Sequence, residues 1–99
     1  MDPENPISRA DVVISTAGRD RGELFYVADT DDQFVTLVNG KNRPVEKPKR
    51  KKRKHVEKVL RSETRVAEKL RSGDKVLNGE LRTDLASLSR DMQANNLGG

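Results

Sequence analysis

The sequence predicts an α+β protein, a small antiparallel β-barrel followed by a C-terminal α-helical hairpin. Three observations predict it. Short β-branched and aromatic runs separated by turn signals fill residues 11–56. Asn39-Gly40, a strong hairpin pair, falls between two of these segments. After Val56 the apolar period becomes helical, punctuated by capping residues and a glycine. At 99 residues the chain suits one small domain with an appendage.

Residues 1–10 carry Pro3 and Pro6 without periodicity and are expected to form a flexible tail. Val12-Val13-Ile14 reads as a first strand ending in Ser15-Thr16-Ala17-Gly18. Gly18 and Gly22 bracket Arg19-Asp20-Arg21, which marks a tight loop needing positive φ. Leu24–Ala28 is a second strand, with Phe25 and Val27 on one face and Leu24 and Tyr26 on the other. Asp29–Asp32 is a turn and Phe34–Val38 a third strand. Asn39-Gly40 predicts a type I′ turn and a fourth strand from near Lys41, kept short or at an edge by Pro44 and limited by Pro48. A short fifth strand near Lys54-His55-Val56 closes the barrel, because an open sheet this small leaves long exposed edges. The expected core is Val12, Ile14, Phe25, Val27, Val35 and Leu37. Beyond it, Ser62 is read as an N-cap, Val66 and Leu70 as one helical face, and Gly73 as the C′ stop. Asn78 is read as a second N-cap, and Leu81, Leu85, Leu88 and Met92 as an apolar stripe. The expected divisions are a tail at 1–10, the barrel at 11–57, the helical hairpin at 58–94 and a fraying tail at 95–99.

Charge is concentrated in one place. Residues 41–54 hold nine basic side chains and one acid, Glu46, in a chain of net charge +4. Residues 1–40 hold three basic residues against eight acids. Such a segment points to a polyanionic partner, most simply nucleic acid. No cysteine is present, which excludes disulfides and thiolate metal sites. No apolar run approaches the ~20 residues needed to span a bilayer, and Met1–Pro6 lacks a secretory pattern. The expected location is therefore the cytoplasm. No nucleophile–base pair, metal cluster or phosphate-cradling glycine loop is visible, so the chain reads as a non-enzyme without a cofactor.

The stretch Val12 to Gly22 with Phe25-Tyr26-Val27 resembles the KOW motif of ribosomal proteins and transcription elongation factors, with Gly22 at its near-invariant glycine. The longer run, through Asn39-Gly40-Lys41-Asn42-Arg43-Pro44 to Lys47–His55, is similar to bacterial KOW-domain RNA-binding proteins related to an archaeal-eukaryotic large-subunit ribosomal protein. The resemblance covers roughly residues 11–56 and departs from the motif at Glu23-Leu24, where a second glycine is common. It implies an SH3-like barrel of about five strands, RNA binding, and association with ribosomal or other structured RNA.

The candidate RNA contacts are Lys41, Arg43, Lys47, Lys49, Arg50, Lys51, Lys52, Arg53, Lys54 and His55, joined by Arg19 and Arg21 from the glycine-bracketed loop. Lysines and arginines on phosphates release condensed counterions, so affinity is expected to fall steeply with salt. Asp20 is expected to orient an arginine or cap its turn. His55 is either a strand filler or a base-stacking group. The acids Asp29, Asp31 and Asp32 read as a solvated turn that keeps the far face of the barrel off RNA. The stripe from Leu81 to Met92 packs on the rest of the chain or binds a protein. The rival to RNA binding is a protein-interaction module of the transcription or translation machinery with only nonspecific nucleic-acid affinity. Charge alone also admits double-stranded DNA.

Overall fold

The structure, a computed structural model, describes residues 6–98, with the backbone alone at 94–98. Five strands form one antiparallel sheet: β1 (Asp11–Ser15), β2 (Leu24–Thr30), β3 (Phe34–Val38), β4 (Lys49–Lys52) and β5 (Val56–Arg61). Two helices follow, α1 (Arg65–Ser72) and α2 (Asn78–Gly98). The strand order β4-β3-β2-β1-β5 is a four-stranded meander with β5 returning beside β1. The sheet is not closed. Among the described residues β4 and β5 are its two edges, and a 3₁₀ turn at Arg53–His55 makes the corner between them. Register shifts at Val12/Val13 and Val27/Asp29 bend the central strands and let the sheet curl.

Both faces of the curled sheet are covered. Ile7, Val13, Phe25, Val27, Val35, Leu37 and Val56 fill its concave side. Ala10, Val12, Tyr26 and Val38 face the helices and meet Val66, Ala67, Val76, Leu81 and Leu85. The expected core thus divides between two clusters. Val13 pairs with Phe25 and points inward, whereas Val12 pairs with Tyr26 and lies under the helices. Ile14 is only half-buried. A run of three apolar residues in one strand marks cover on both faces, not a single inward face.

The expected tail at 1–10 is corrected for its described part. Ile7 and Ala10 are buried, and Ala10 N–H donates to Val27 O at 2.7 Å. Residues 1–5 lie outside the described residues. At the other end, α2 continues through Gly98 rather than fraying from residue 95, and Gly99 lies outside the described residues. The sheet also runs past residue 57, since β5 extends to Arg61.

The Asn39-Gly40 hairpin is a second correction. The ladder resumes only at Lys49, opposite Leu37, so residues 39–48 form a long connection. Asn39 folds the start of this loop onto itself. Its Oδ1 accepts the N–H groups of Lys41 and Arg43, both at 3.0 Å, while Arg43 O accepts from Asn39 N at 2.9 Å and Gly40 N at 3.2 Å. Pro44 starts a further turn, closed by Lys47 N to Pro44 O at 3.0 Å. The positive φ that Gly40 supplies, +75°, seats the loop on α2 instead of reversing a hairpin.

The helices are capped differently from the expectation. Thr64, not Ser62, caps α1, accepting Ala67 N–H at 3.2 Å. Ser62 is buried beneath it. Gly73 ends α1 with φ +78°. At the start of α2, Glu80 accepts Leu77 N–H at 3.1 Å, one half of a capping box. The Asn78 side chain leaves its own helix: it accepts Val45 N–H at 2.9 Å and donates to Glu46 at 3.1 Å. Leu81 and Leu85 are buried on the sheet, and Leu88 packs at its margin.

A polar junction fixes the hairpin to the sheet. Tyr26, buried in β2, shares its hydroxyl with Ser62 Oγ at 2.9 Å and donates to Asp84 of α2, which also accepts from Thr64 Oγ1 at 2.7 Å. Burial and the neighbouring Asp84 carboxylate push the phenol pKa above its ordinary value. Tyr26→Phe should destabilise the protein by about 1.5–3 kcal/mol, the range for a hydrogen bond to a charged group. Chemical denaturation measures it, and a loss concentrated in the helical signal would place the junction as the docking point.

Candidate nucleic-acid interface

Strand alternation divides the basic segment. Lys49 and Lys51 sit opposite Leu37 and Val35 and take the concave face, whereas Arg50 and Lys52 sit opposite Thr36 and Phe34 and take the outer one. Pro48 blocks an earlier start to the ladder, and lysines on an edge strand discourage edge-to-edge pairing.

The two inward lysines close on Asp20. Lys51, only 7% exposed, reaches Asp20 Oδ1 and Ala17 O, both at 2.6 Å. Lys49 reaches Asp20 Oδ2 at 2.8 Å, and Ser15 Oγ donates to Oδ1 at 2.7 Å. Burial alone pushes the Asp20 carboxyl up, but these hydrogen bonds and the Lys51 charge outweigh it and hold it well below the ordinary aspartate value. Asp20 therefore neither orients an arginine nor merely caps its turn. It ties the loop at 16–23 to β4. In the same loop Gly22, at φ +90°, donates its N–H to Ser15 O while Glu23 O accepts from Ser15 N, so two residues oppose one and the strand pair opens on a bulge.

The outward and corner cations are partly engaged. Arg50 pairs with Asp31 at 2.9 Å and lies 4.0 Å over the Phe34 ring. Arg53 donates to Asp31 O at 2.8 Å and to Ile7 O at 3.1 Å. The Asp31 carboxyl is held below its ordinary value, first by Arg50 and then by the Phe34 and Gln33 amides. The acidic turn therefore flanks the basic strand and does not guard a far face. Asp29 pairs with Arg9 at 3.1 Å.

Arg19, Arg21, Lys41, Lys47, Lys52 and Lys54 are exposed, and their side chains make no hydrogen bond or ion pair among the described residues. Arg43 and His55 are half-buried. Arg43 serves the fold through its backbone carbonyl, and His55 O accepts Thr16 N–H at 2.9 Å within the 3₁₀ turn. Asp20 and Ala17 hold the loop bearing Arg19 and Arg21 against β4. Lys41 lies across an open groove from Gly22. Lys52 and Lys54 border a separate hollow with Gln33.

No protein-family model matches this chain, and no curated protein matches it.

One cation at this end escaped the sequence reading. Arg82 on α2 donates to Gly40 O at 2.6 Å and lines the groove that holds Lys41 and Gly22. No periodicity or short motif links a helix residue to a loop forty positions upstream, so nothing in the sequence marked it. The three aromatics of the chain are all occupied. Phe25 is fully buried, Tyr26 is 2% exposed and Phe34 lies beneath Arg50. The fold offers no exposed aromatic platform on which successive bases could stack.

Proposed function

We propose that the protein binds RNA, ribosomal or otherwise structured, by gripping its phosphate backbone, and that the curled sheet is an SH3-like barrel of the KOW type. The observation that carries the reading is the set of six exposed cations whose side chains have no partner among the described residues, Arg19, Arg21, Lys41, Lys47, Lys52 and Lys54, mounted on segments fixed by hydrogen bonds. Cations held within the fold at Lys49 and Lys51 shape this surface, while the free ones remain for phosphates. The lack of an aromatic platform favours backbone and shape over base sequence. A protein-interaction role for the helices has less support, because Leu81 and Leu85 are buried against the sheet. Among the described residues no helix is long and apolar enough to cross a membrane. A cytoplasmic location accompanies the RNA-binding reading.

Anisotropy titration of a labelled hairpin RNA across a salt series tests it. With five or six phosphates engaged, the log–log slope should be roughly −4 to −5. Replacing Arg19, Arg21 and Lys41 together by alanine should flatten the slope by about 3 and weaken binding at least tenfold at low salt. A flat salt profile, or unchanged affinity in that variant, would remove the reading. Lys49 and Lys51 stay in place in this variant, because losing them would strip Asp20 of both its lysines and attack the fold itself.

A further inference from the structure

The groove between the β1–β2 loop, the loop at 39–48 and α2 has the chemistry of a nucleotide site. It is an open groove of about 490 Å³, a volume within the ~300–1,000 Å³ usual for small-molecule sites. Its apolar lining is Leu24, Leu85 and Ala86, and its rims carry Gly22, Lys41 and Arg82. No acid is among its lining residues, so its charge is uniformly positive. The Lys41 side chain has no partner among the described residues, and its ammonium is available to a phosphate. Arg82 is different: its Nη1 is anchored on Gly40 O at 2.6 Å, which fixes the guanidinium while leaving donors and a flat face to spare. An immobilised guanidinium plane is a surface on which an unstacked base settles. The rim is open at Gly22, where an added Cβ would meet nothing within 4 Å. Ser89 contributes a hydroxyl with no protein partner among the described residues. Asn39 contributes none, because its amide is spent on Lys41, Asn42 and Arg43.

We propose that this groove receives one unpaired nucleotide of the bound RNA, its base between the Arg82 plane and the Leu24–Leu85 floor and its phosphates on Lys41 and the neighbouring Arg21. This inference rests on the RNA reading above and adds to it. The protein then selects RNA with a bulged or terminal unpaired residue over a continuous duplex. A single free hydroxyl discriminates little between bases, so any of the four is accepted. Helix α2 becomes part of the recognition surface instead of an accessory to it.

The experiment compares a labelled RNA hairpin carrying a single-uridine bulge with the same hairpin carrying an abasic residue at the bulge, which preserves every phosphate. The wild-type protein should bind the uridine form about tenfold more tightly, the size of one base-stacking contribution. Ala86→Phe fills the groove from an exposed helical position without altering charge. It should erase the preference, lowering affinity for the uridine RNA to the abasic level with the salt slope unchanged. Circular dichroism checks that α2 persists, and Ser89→Phe, one helical turn further along the same groove wall, should give the same result. Equal wild-type affinity for the two RNAs with a steep salt slope would overturn the groove assignment and leave the phosphate reading standing. So would a preference that survives both substitutions. Failure of either RNA to bind with a salt dependence would overturn both readings.

Discussion

Gly40→Ala should lower stability by about 3 kcal/mol or more, a fall of about 10–25 °C in Tm for a domain of this size. Two costs add. At φ +75° an L-residue with a Cβ pays roughly 1–2 kcal/mol in backbone strain. The new methyl would also sit far inside contact distance of the Asn78 carbonyl oxygen and 3.0 Å from Leu81 Cβ. The first obstacle is helix backbone, which cannot swing aside as a side chain does. Relief requires the loop to lift from α2, breaking Val45 N–H to Asn78 at 2.9 Å and Arg82 to Gly40 O at 2.6 Å. Gly22→Ala is the internal control. Its φ is +90°, yet an added Cβ meets open space, so it should show the strain term alone, about 1–2 kcal/mol. Thermal denaturation of the two variants separates strain from collision. Equal losses would show that the Gly40 contact yields at no cost.

The second large effect belongs to Asp20. Its removal by Asp20→Ala strands Lys51, 7% exposed, and Lys49 without their carboxylate, and should cost about 3–5 kcal/mol, the range for breaking a buried pair from one side. The pH dependence follows from the depressed pKa. A carboxyl whose folded value lies below its ordinary 3.8 contributes stability that is complete above that value and is lost as the pH falls toward the folded one. Urea midpoints measured from neutral pH down through the acid range should therefore fall below about pH 4 in the wild type. The corresponding limb should be shallower in Asp20→Ala. Adding Lys51→Met to Asp20→Ala should recover a large part of the loss, because an apolar side chain of similar length does not need the missing charge. No recovery would mean that Lys49 and Ala17, not the buried ammonium, dominate the site.

Local signals in the sequence located the elements well and their use less well. Gly22 and Gly73 announced positive φ where the backbone adopts it, and the strands at Leu24 and Phe34 were visible in their alternation. Asn39-Gly40 misled because the pair specifies a tight turn but not what the turn serves. Asn39 closes on Arg43, and Gly40 answers a helix surface almost forty residues later in the chain. The basic run looked uniform in one dimension. Pairing with β3 gives it two faces, and the inward one needs an acid that the sequence places thirty residues away, at Asp20. Ser62 and Asn78 had the chemistry of caps and found partners elsewhere, Tyr26 for one and the loop at 39–48 for the other. Most of these misses turn on a contact distant in sequence, as between Tyr26 and Ser62, Val45 and Asn78, or Asp20 and Lys51, which neither propensity nor periodicity encodes.

The cover on both faces of the sheet bears on how this chain can be divided. Val12, Tyr26 and Val38 lie beneath the helices, while their strand neighbours Val13, Phe25 and Leu37 fill the concave side. One set of backbone ladders thus holds two cores, and neither survives the loss of the other unaltered. A fragment ending at Arg61 would leave an apolar sheet face open to water, with Tyr26 deprived of Thr64 and Asp84. The strands are not a portable module with helices attached. The helical half completes the second core, to which it contributes Val66, Ala67, Val76, Leu81 and Leu85.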